Sequence, residues 1–428
     1  MFRCLFIAAI AVWLATSARA QVPAAYAAPQ ATSQDARNVL TVVGPALIQI
    51  KGFFGANTAQ AFHGTGFAVA AGGIFVTNYH VVAERVQHPD KYRLEYRNVD
   101  GETGAITVLA VDVRHDLALV RASNYAPASL QLQTSPGAKG ERAYSVGYPL
   151  DVGLTITEGI SNGKVDDSFE PRIHYSGAIN AGMSGGPALN GAAEVIGVNV
   201  AGYRFEQLVS FLVPVEHVLA LRDRSVAPQS DDSLKQEVAA QMHAHSGDLF
   251  RALEGPIPTQ RVSGYALPGK VAPFIDCNAS GSPATEDPVQ VVRVNCFAKA
   301  GLYLQQGLFS GDLRYAHYIL TTEKLDAWRF AARLSGLTHA VGNYGLPRHV
   351  GPYACEDRVV GLKGFDAAVL VCARAYRKFV GLYDLTVRVS SLNGLQSGFA
   401  SHLDIYGVEF NPGMAFTRRY VEAMEWKP

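Results

Sequence analysis

Ser184 lies between glycines in the sequence AINAGMSGGPAL, residues 178–189. Acyl transfer at a carbonyl needs an exposed hydroxyl and, close to it, backbone N–H groups aimed at the developing oxyanion. Glycines allow the tight turn that such a loop requires, and the amides of Gly182 and Ser184 are the pair expected to form an oxyanion hole. A glycine-rich turn with an incidental serine is the alternative, because Ser-Gly-Gly alone is common in loops.

Two further side chains could activate that hydroxyl. His80 follows two short apolar runs, 66–69 and 74–76, and we expect it at a strand end. Imidazole suits a general base because its ordinary pKa lies close to neutral pH. Asp116 opens the apolar run 117–120, where it could accept a hydrogen bond from imidazole Nδ1 and fix the tautomer. Taken singly, a histidine such as His80 is more often structural, and an acid such as Asp116 more often caps a turn.

The order of these residues along the chain is more informative than any one of them. The order His80, Asp116, Ser184 is that of the chymotrypsin-type triad and differs from the subtilisin and α/β-hydrolase orders. The context of a nucleophile elbow, in which a strand leads through Gly-x-Ser-x-Gly into a helix, is not found, and this argues against an esterase of the hydrolase fold. The three residues together predict a serine endopeptidase that works through an acyl-enzyme.

The elements that must position these residues read as short strands. From about residue 45 to 222, apolar or alternating runs are separated by Gly, Asn, Asp and Pro turns, a pattern typical of an all-β barrel pair or sandwich. We predict the following organisation: a signal peptide at 1–20, a flexible lead-in at 21–37, a protease domain at 38–224, a linker at 225–232, and a C-terminal domain at 233–428.

The N-terminus predicts export. Arg3 precedes an apolar run over residues 4–16, and Ala18-Arg19-Ala20 provides a small-x-small cleavage pattern. The run has 13 residues, short for a bilayer span, although an uncleaved membrane anchor is the alternative. We expect a periplasmic or secreted mature chain that begins at Gln21 and has no stable membrane span.

Composition narrows the classes of partner. Hydrophobic residues make up 48% and charged residues 17% of the chain, and 37 basic residues balance 37 acidic ones. Without a basic patch, nucleic-acid binding is not expected. We expect a protein or peptide substrate, no cofactor and no metal; the sequence does not specify an oligomeric state.

Four cysteines remain after the predicted signal peptide, and an even number in an exported chain favours disulfides. Their spacings do not fit a zinc site. The segments 274–313 and 352–385 look like two copies of one hairpin unit, which predicts the pairs Cys277–Cys296 and Cys355–Cys372. Chance similarity between two strand-rich segments is the alternative.

The C-terminal domain mixes strand-like and helix-like hydrophobic patterns, so we predict an α+β fold for it. A helix is expected from about Ser233. The other predicted elements are strands at 290–298, 313–320, 367–375 and 382–390, and helices at 321–334 and 416–426.

With these motifs in view, the region from about 44 to 218 resembles the HtrA/Deg branch of trypsin-like serine peptidases. The resemblance includes the serine motif and the following segments: Gly64 to Val69, 76–82, 116–120, 147–149, 157–161, 195–199 and 209–214. It implies two six-stranded β-barrels with the triad in the cleft between them.

The resemblance also suggests where substrate binds. Ala178 and Ile179 would lie near the primary pocket, and Asn199, Val200 and Ala201 would form the strand that pairs with the substrate backbone. None of them is acidic, so small to medium apolar side chains are the predicted preference, because an apolar floor penalises buried charge.

The sequence departs from the family pattern at three places. Met183 replaces the usual Asp or Asn and cannot pair with a new N-terminal ammonium, which closes off trypsin-style activation. Ala181 replaces a frequent Pro. No PDZ-like segment is apparent after residue 225, so peptide sensing by a PDZ domain is not expected.

Two other functions stay open at this stage. The chain could be a catalytically weak or inactive peptide-binding, chaperone-like protein that keeps the protease fold. The C-terminal domain could instead be the main functional module, with its aromatic-rich stretch 303–318 recruiting a partner, although such aromatics usually belong to a core.

Overall fold

The computed structural model describes residues 32–427 except 136, 203–207, 225–227, 283–286, 338–346 and 393. The predicted signal peptide, the first part of the lead-in and the first residues of the predicted linker lie outside the described residues. Among the described residues, no helix combines the length and the apolar character needed to cross a bilayer.

The first barrel closes in the order β1-β2-β3-β6-β5-β4. Its strands are β1 Leu47–Phe54, β2 Gln60–Ala70, β3 Ile74–Thr77, β4 Tyr92–Asn98, β5 Thr103–Asp112 and β6 Leu117–Ala122. The strands β3 and β6 are buried along almost their whole length, which explains their continuous apolar runs. His80 lies just after the end of β3, and Asp116 lies just before the start of β6.

The second barrel closes in the order β10-β11-β12-β9-β8-β7. Its strands are β7 Glu141–Gly147, β8 Thr155–Lys164, β9 Ile173–Tyr175, β10 Pro187–Leu189, β11 Val195–Gly202 and β12 Ser210–Pro214. The segment between β9 and β10 holds Ser184. The predicted double six-stranded barrel is confirmed.

Four helices belong to or border the barrels. They are α1 Thr32–Val43, α2 Tyr79–Gln87, α3 Val215–Arg224 and α4 Asp231–Ala252. Helix α1 begins inside the segment predicted as a flexible lead-in; it buries Val39 and Val43 in the core that the two barrels share. Helix α4 begins before Ser233 because Ser230 caps it, its hydroxyl accepting a hydrogen bond from the Ser233 amide at 3.1 Å.

The C-terminal domain is built on a seven-stranded antiparallel sheet in the order β15-β16-β19-β23-β22-β21-β20. The remaining elements are β13 Thr259–Val262, β14 Tyr265–Pro268, β15 Ile275–Gly281, β16 Gln290–Ala298, β17 Leu302–Gln305, β18 Leu308–Ser310, β19 Asp312–Thr321, α5 Ala327–Ser335, β20 Ala354–Leu362, β21 Phe365–Ala375, β22 Leu382–Ser391, β23 Ser397–Glu409, α6 Phe410–Glu422 and β24 Glu425–Trp426. The predicted disulfide-bearing α+β domain is confirmed.

Helix α6 begins six residues before the predicted helix at 416–426. Pro412 lies in the first turn of α6, where its missing N–H would have no partner in any case. The C-terminal end of the predicted helix is instead the short strand β24.

Both predicted disulfides are present. Cys277 pairs with Cys296 across β15 and β16, and Cys355 pairs with Cys372 across β20 and β21. These two hairpins form opposite edges of the seven-stranded sheet. In the chain-entropy account, each short loop restricts the unfolded chain by about 3 kcal/mol, so each disulfide stabilises an edge of the sheet.

The C-terminal domain packs directly against the first barrel. Leu234, Val238 and Met242 of α4 share one buried apolar cluster with α2, with the two-stranded ribbon β17–β18 and with strands of the first barrel. Gln241 of α4 accepts a hydrogen bond from the Val113 amide at 2.7 Å and donates one to the Val111 carbonyl at 2.8 Å. Helix α4 therefore holds the turn between β5 and β6, which leads into Asp116.

Candidate active site

His80 and Asp116 are joined by two hydrogen bonds. The Nδ1 atom of His80 lies 2.7 Å from Oδ2 of Asp116, and the backbone N–H of His80 donates to Oδ1 at 2.9 Å. His80 sits in the first turn of α2, so the prediction that it lies at a strand end is wrong by a few residues. The helix start explains the second bond, because amides in a first helical turn have no partner within the helix.

Asp116 occupies the turn immediately before β6 in a left-handed backbone conformation, with φ of +58°. Aspartate tolerates this conformation better than most residues. Its carbonyl accepts hydrogen bonds from the Asn78 side chain at 2.8 Å and the Tyr79 amide at 3.1 Å. The side chain before α2 and the first amide of α2 thus fix the acid that in turn orients the imidazole.

The carboxylate changes the proton affinity of the imidazole. Burial by itself lowers the pKa of His80, but the charge and hydrogen bond of Asp116 outweigh it and raise the pKa above its ordinary value of 6.5. The imidazole side chain keeps 29% of its surface exposed. It is therefore oriented by Asp116 and still reachable from the cleft.

The loop of Ser184 lies against the strand end that precedes α2. The Thr65 amide donates to the Ser184 carbonyl at 2.8 Å, and the Thr77 hydroxyl donates to the Thr65 carbonyl at 2.7 Å. A Cβ atom on Gly185 would lie 2.2 Å from the Thr65 carbonyl oxygen, so only glycine allows this approach. These contacts hold the serine loop of the second barrel against the segment of the first barrel that leads into α2 and His80.

The geometry of Gly182 fits an oxyanion loop. Its φ is +96°, a conformation that favours glycine, and its carbonyl accepts a hydrogen bond from the Thr65 hydroxyl at 2.7 Å. Within the part of the chain that the structure describes, the amides of Gly182 and Ser184 donate to no backbone carbonyl. Both amides therefore remain free to bind a developing oxyanion.

The hydroxyl of Ser184 donates to the Val200 carbonyl at 3.3 Å. Among the described residues, no hydrogen bond joins this hydroxyl to His80. Such contacts are often long or misaligned in a protein without substrate and tighten when substrate binds.

Met183 and Asn199 support the serine loop from inside the second barrel. Met183 is fully buried, and the Asn199 side chain, also fully buried, donates to the Val146 and Met183 carbonyls at 3.2 and 3.3 Å. The Asn199 amide and carbonyl are taken by Gly186 and Gly185. The backbone N–H and carbonyl of Asn199 are therefore both bonded to the serine loop, and its pairing with a substrate backbone stays a prediction.

The other predicted substrate contacts have different surroundings. Ala178 is half-buried and its carbonyl accepts from the Thr157 hydroxyl at 2.8 Å, whereas Ile179 packs against the apolar interior of the second barrel. Val200 lies at an irregularity in the pairing of β11 with β12. The backbone of Ala201 pairs with Phe211, and its side chain lies outside the described residues.

Sequence reasoning missed the position of Tyr303. This residue of the C-terminal domain lies edge-on to the His80 ring, with 6.0 Å between ring centroids. The sequence shows an aromatic-rich stretch at 303–318, but nothing in a single sequence indicates which distant segment one of its rings faces.

The two barrels are similar in sequence to known peptidases. Residues 64–198 match the family model of the trypsin-like peptidase domain. The chain is 26% identical over 274 residues to human serine protease HTRA3, covering 60% of this chain and 59% of that protein. It is 35% identical over 148 residues to a probable periplasmic serine endoprotease, DegP-like, of Chlamydia pneumoniae, covering 33% and 29%. The chain thus spans less than two thirds of the length of these relatives.

Solved structures with detectable similarity include a serine endoprotease of Yersinia pestis, 20% identical, with a TM-score of 0.37 over 44% of this chain and 65% of that one. They also include the active form of a protease from M. tuberculosis, 19% identical, with a TM-score of 0.41 over 47% and 90%.

The closed barrels, the family match over residues 64–198 and the relatives agree with one another. Residues 64–198 therefore match a trypsin-like peptidase domain, and the chain is similar in sequence to HtrA and DegP-like serine proteases.

Proposed function

We propose that this chain is a serine endopeptidase that hydrolyses protein or peptide substrates through an acyl-enzyme on Ser184. The paired hydrogen bonds between His80 and Asp116 carry the proposal. They hold Nδ1 as the donor to the carboxylate and leave Nε2 as the proton acceptor, the tautomer that a general base requires.

The proposed reaction proceeds in two halves. Ser184 turns from the Val200 carbonyl toward His80, which takes the hydroxyl proton as the oxygen attacks the scissile carbonyl. The amides of Gly182 and Ser184 bind the oxyanion, and His80 then protonates the leaving amine. Water, activated by the same imidazole, hydrolyses the acyl-enzyme and regenerates the hydroxyl.

The Ser184→Ala variant tests this assignment. We expect loss of labelling by an active-site-directed fluorophosphonate and a fall in turnover of about a million-fold, because no nucleophile remains. Mass spectrometry of the labelled wild-type protein should locate the adduct on Ser184. Ser135→Ala, at an exposed serine of a loop, serves as the matched control and should retain full labelling.

One observation favours a second candidate, a peptide-binding protein with little activity. The Ser184 hydroxyl is bonded to Val200 instead of His80 in this structure. A wild-type protein that binds unfolded peptide but resists the fluorophosphonate would favour that function over proteolysis.

The pH dependence of kcat/KM should report on His80. Since Asp116 raises the pKa of the imidazole above 6.5, the protonated, inactive form persists to higher pH, and activity should rise with a midpoint above that value. Asp116→Asn removes the charge but leaves the burial, which lowers the pKa. We therefore expect its acid limb to move to lower pH while the maximal rate falls about ten-thousand-fold.

Asp112→Asn provides the control for that experiment. Asp112 pairs with His115, 2.8 Å from its Nδ1 atom, and so should not move the acid limb of His80. A wild-type profile that is flat from pH 5 to 8 would contradict the role of His80 as base.

We further propose that the enzyme prefers small to medium apolar side chains at the cleavage site. Ala178 and Ile179 are half-buried and offer apolar surface, and no carboxylate among the predicted pocket residues could pair with a cationic side chain. In a peptide-library cleavage profile we expect Ala, Val or Leu to dominate the position before the cut. A profile dominated by Lys or Arg would refute this preference.

Export to an oxidising compartment is also proposed. Two disulfides support it, because such bonds persist mainly in secreted and periplasmic proteins. N-terminal sequencing of the chain recovered from the periplasm or medium of its host should begin at Gln21; an intact Met1 on cytosolic protein would overturn the proposal.

A further inference from the structure

The ribbon formed by β17 and β18 is fastened to the helix that carries His80. The hydroxyl of Tyr79 donates to the Leu304 carbonyl at 3.1 Å, and the Gln306 amide donates to the Glu84 carboxylate at 2.7 Å. Tyr79 and Leu304 are both fully buried. A segment more than two hundred residues away in the sequence is thus held in one register against α2.

The two faces of this ribbon have opposite roles. Leu302, Leu304 and Leu308 are buried in the cluster beneath it, whereas Phe309 keeps 61% of its surface exposed. Tyr303 stands opposite Phe309 in the strand pairing, and their rings meet edge to face at 5.3 Å. Side chains alternate between faces along a strand, so the leucines anchor the ribbon and Phe309 lies on its outer face, while Tyr303 is half-buried at the edge of the cluster.

That outer face borders the catalytic imidazole. The rings of Tyr303 and His80 lie nearly perpendicular, at 76°, with centroids 6.0 Å apart. Within the described part of the chain, the Tyr303 hydroxyl makes no hydrogen bond, and Glu84, the nearby carboxylate of α2, is already bonded to the Gln306 amide. The surface beside the imidazole is therefore aromatic and has a free phenol at its edge.

We infer that Tyr303, with Phe309 behind it, forms a wall of the substrate cleft and selects an apolar substrate side chain. This inference rests on the proposed peptidase function. A peptide whose scissile carbonyl sits at Ser184 must place a neighbouring side chain beside the His80 ring. Tyr303 is near enough to contact that side chain, and an aromatic wall rewards apolar groups more than charged ones.

The experiment compares positional-scanning peptide libraries for the wild type, Tyr303→Ala, Tyr303→Phe and Phe309→Ala, with rates normalised to fluorophosphonate-labelled sites. We expect Tyr303→Ala to lower kcat/KM for peptides with a large apolar residue at one position by about 10-fold, leaving small or charged residues at that position unaffected. Tyr303→Phe should keep the preference because the ring remains. Phe309→Ala, at an exposed residue, should give a smaller loss at the same position.

Trp328→Ala is the matched control, since Trp328 is 87% exposed on α5 and should leave the profile unchanged. If Tyr303→Ala raised or lowered kcat/KM equally for every peptide, the inference would be overturned. Such a result would indicate that Tyr303 supports the fold or covers the site without selecting a side chain. An unchanged profile would overturn it too.

A peptide-binding measurement tests the role of Tyr303 independently of the proposed peptidase activity. In the Ser184→Ala background, Tyr303→Ala should weaken binding of the preferred fluorescent peptide about 10-fold, whether or not the wild type cleaves it. An unlabelled wild type would count against the peptidase proposal, whereas equal peptide binding by the single and double variants would count against the role of Tyr303.

Discussion

The two-point contact between Asp116 and the start of α2 is the constraint on which the site depends. One carboxylate oxygen holds the imidazole and the other holds the backbone N–H of His80, so position and tautomer are set together. Asp116 can do this only because its turn adopts a left-handed conformation and its carbonyl is bonded by Asn78 and Tyr79. Each half of the contact therefore holds the other half in place.

The second barrel supplies the remaining chemistry through a loop that is supported from within. Met183 occupies a position where many related peptidases carry an acid, yet it is buried in the barrel, and the Asn199 amide bonds its carbonyl. Apolar packing and one buried amide thus support the Gly182–Gly185 turn without an ion pair. Among the described residues, the amides of Gly182 and Ser184 in this resting loop donate to no backbone carbonyl.

The sequence predicted the barrels and both disulfides, because each depends on local pattern: strand alternation and hairpin spacing. The catalytic roles of His80, Asp116 and Ser184 stay a prediction, drawn from glycine placement and residue order. The sequence did not indicate that His80 lies in the first turn of a helix, or that the Asn199 backbone is bonded to Gly185 and Gly186. It also could not indicate that Tyr303 lies beside His80. That contact depends on how two domains dock, and docking is decided by complementary surfaces that leave little periodic trace in either segment.

The shared cluster beneath α2 has a consequence for how such a protein can evolve. Residues of α4 and of the β17–β18 ribbon cover Tyr79, Val82 and Val86 of α2. A peptidase region truncated after α3 would therefore expose this apolar face to water. Recombination that joined these barrels to another C-terminal partner would have to replace that cover as well. The two halves of this gene product are therefore expected to be inherited as one module, unlike proteases whose appended domains are joined by a free linker.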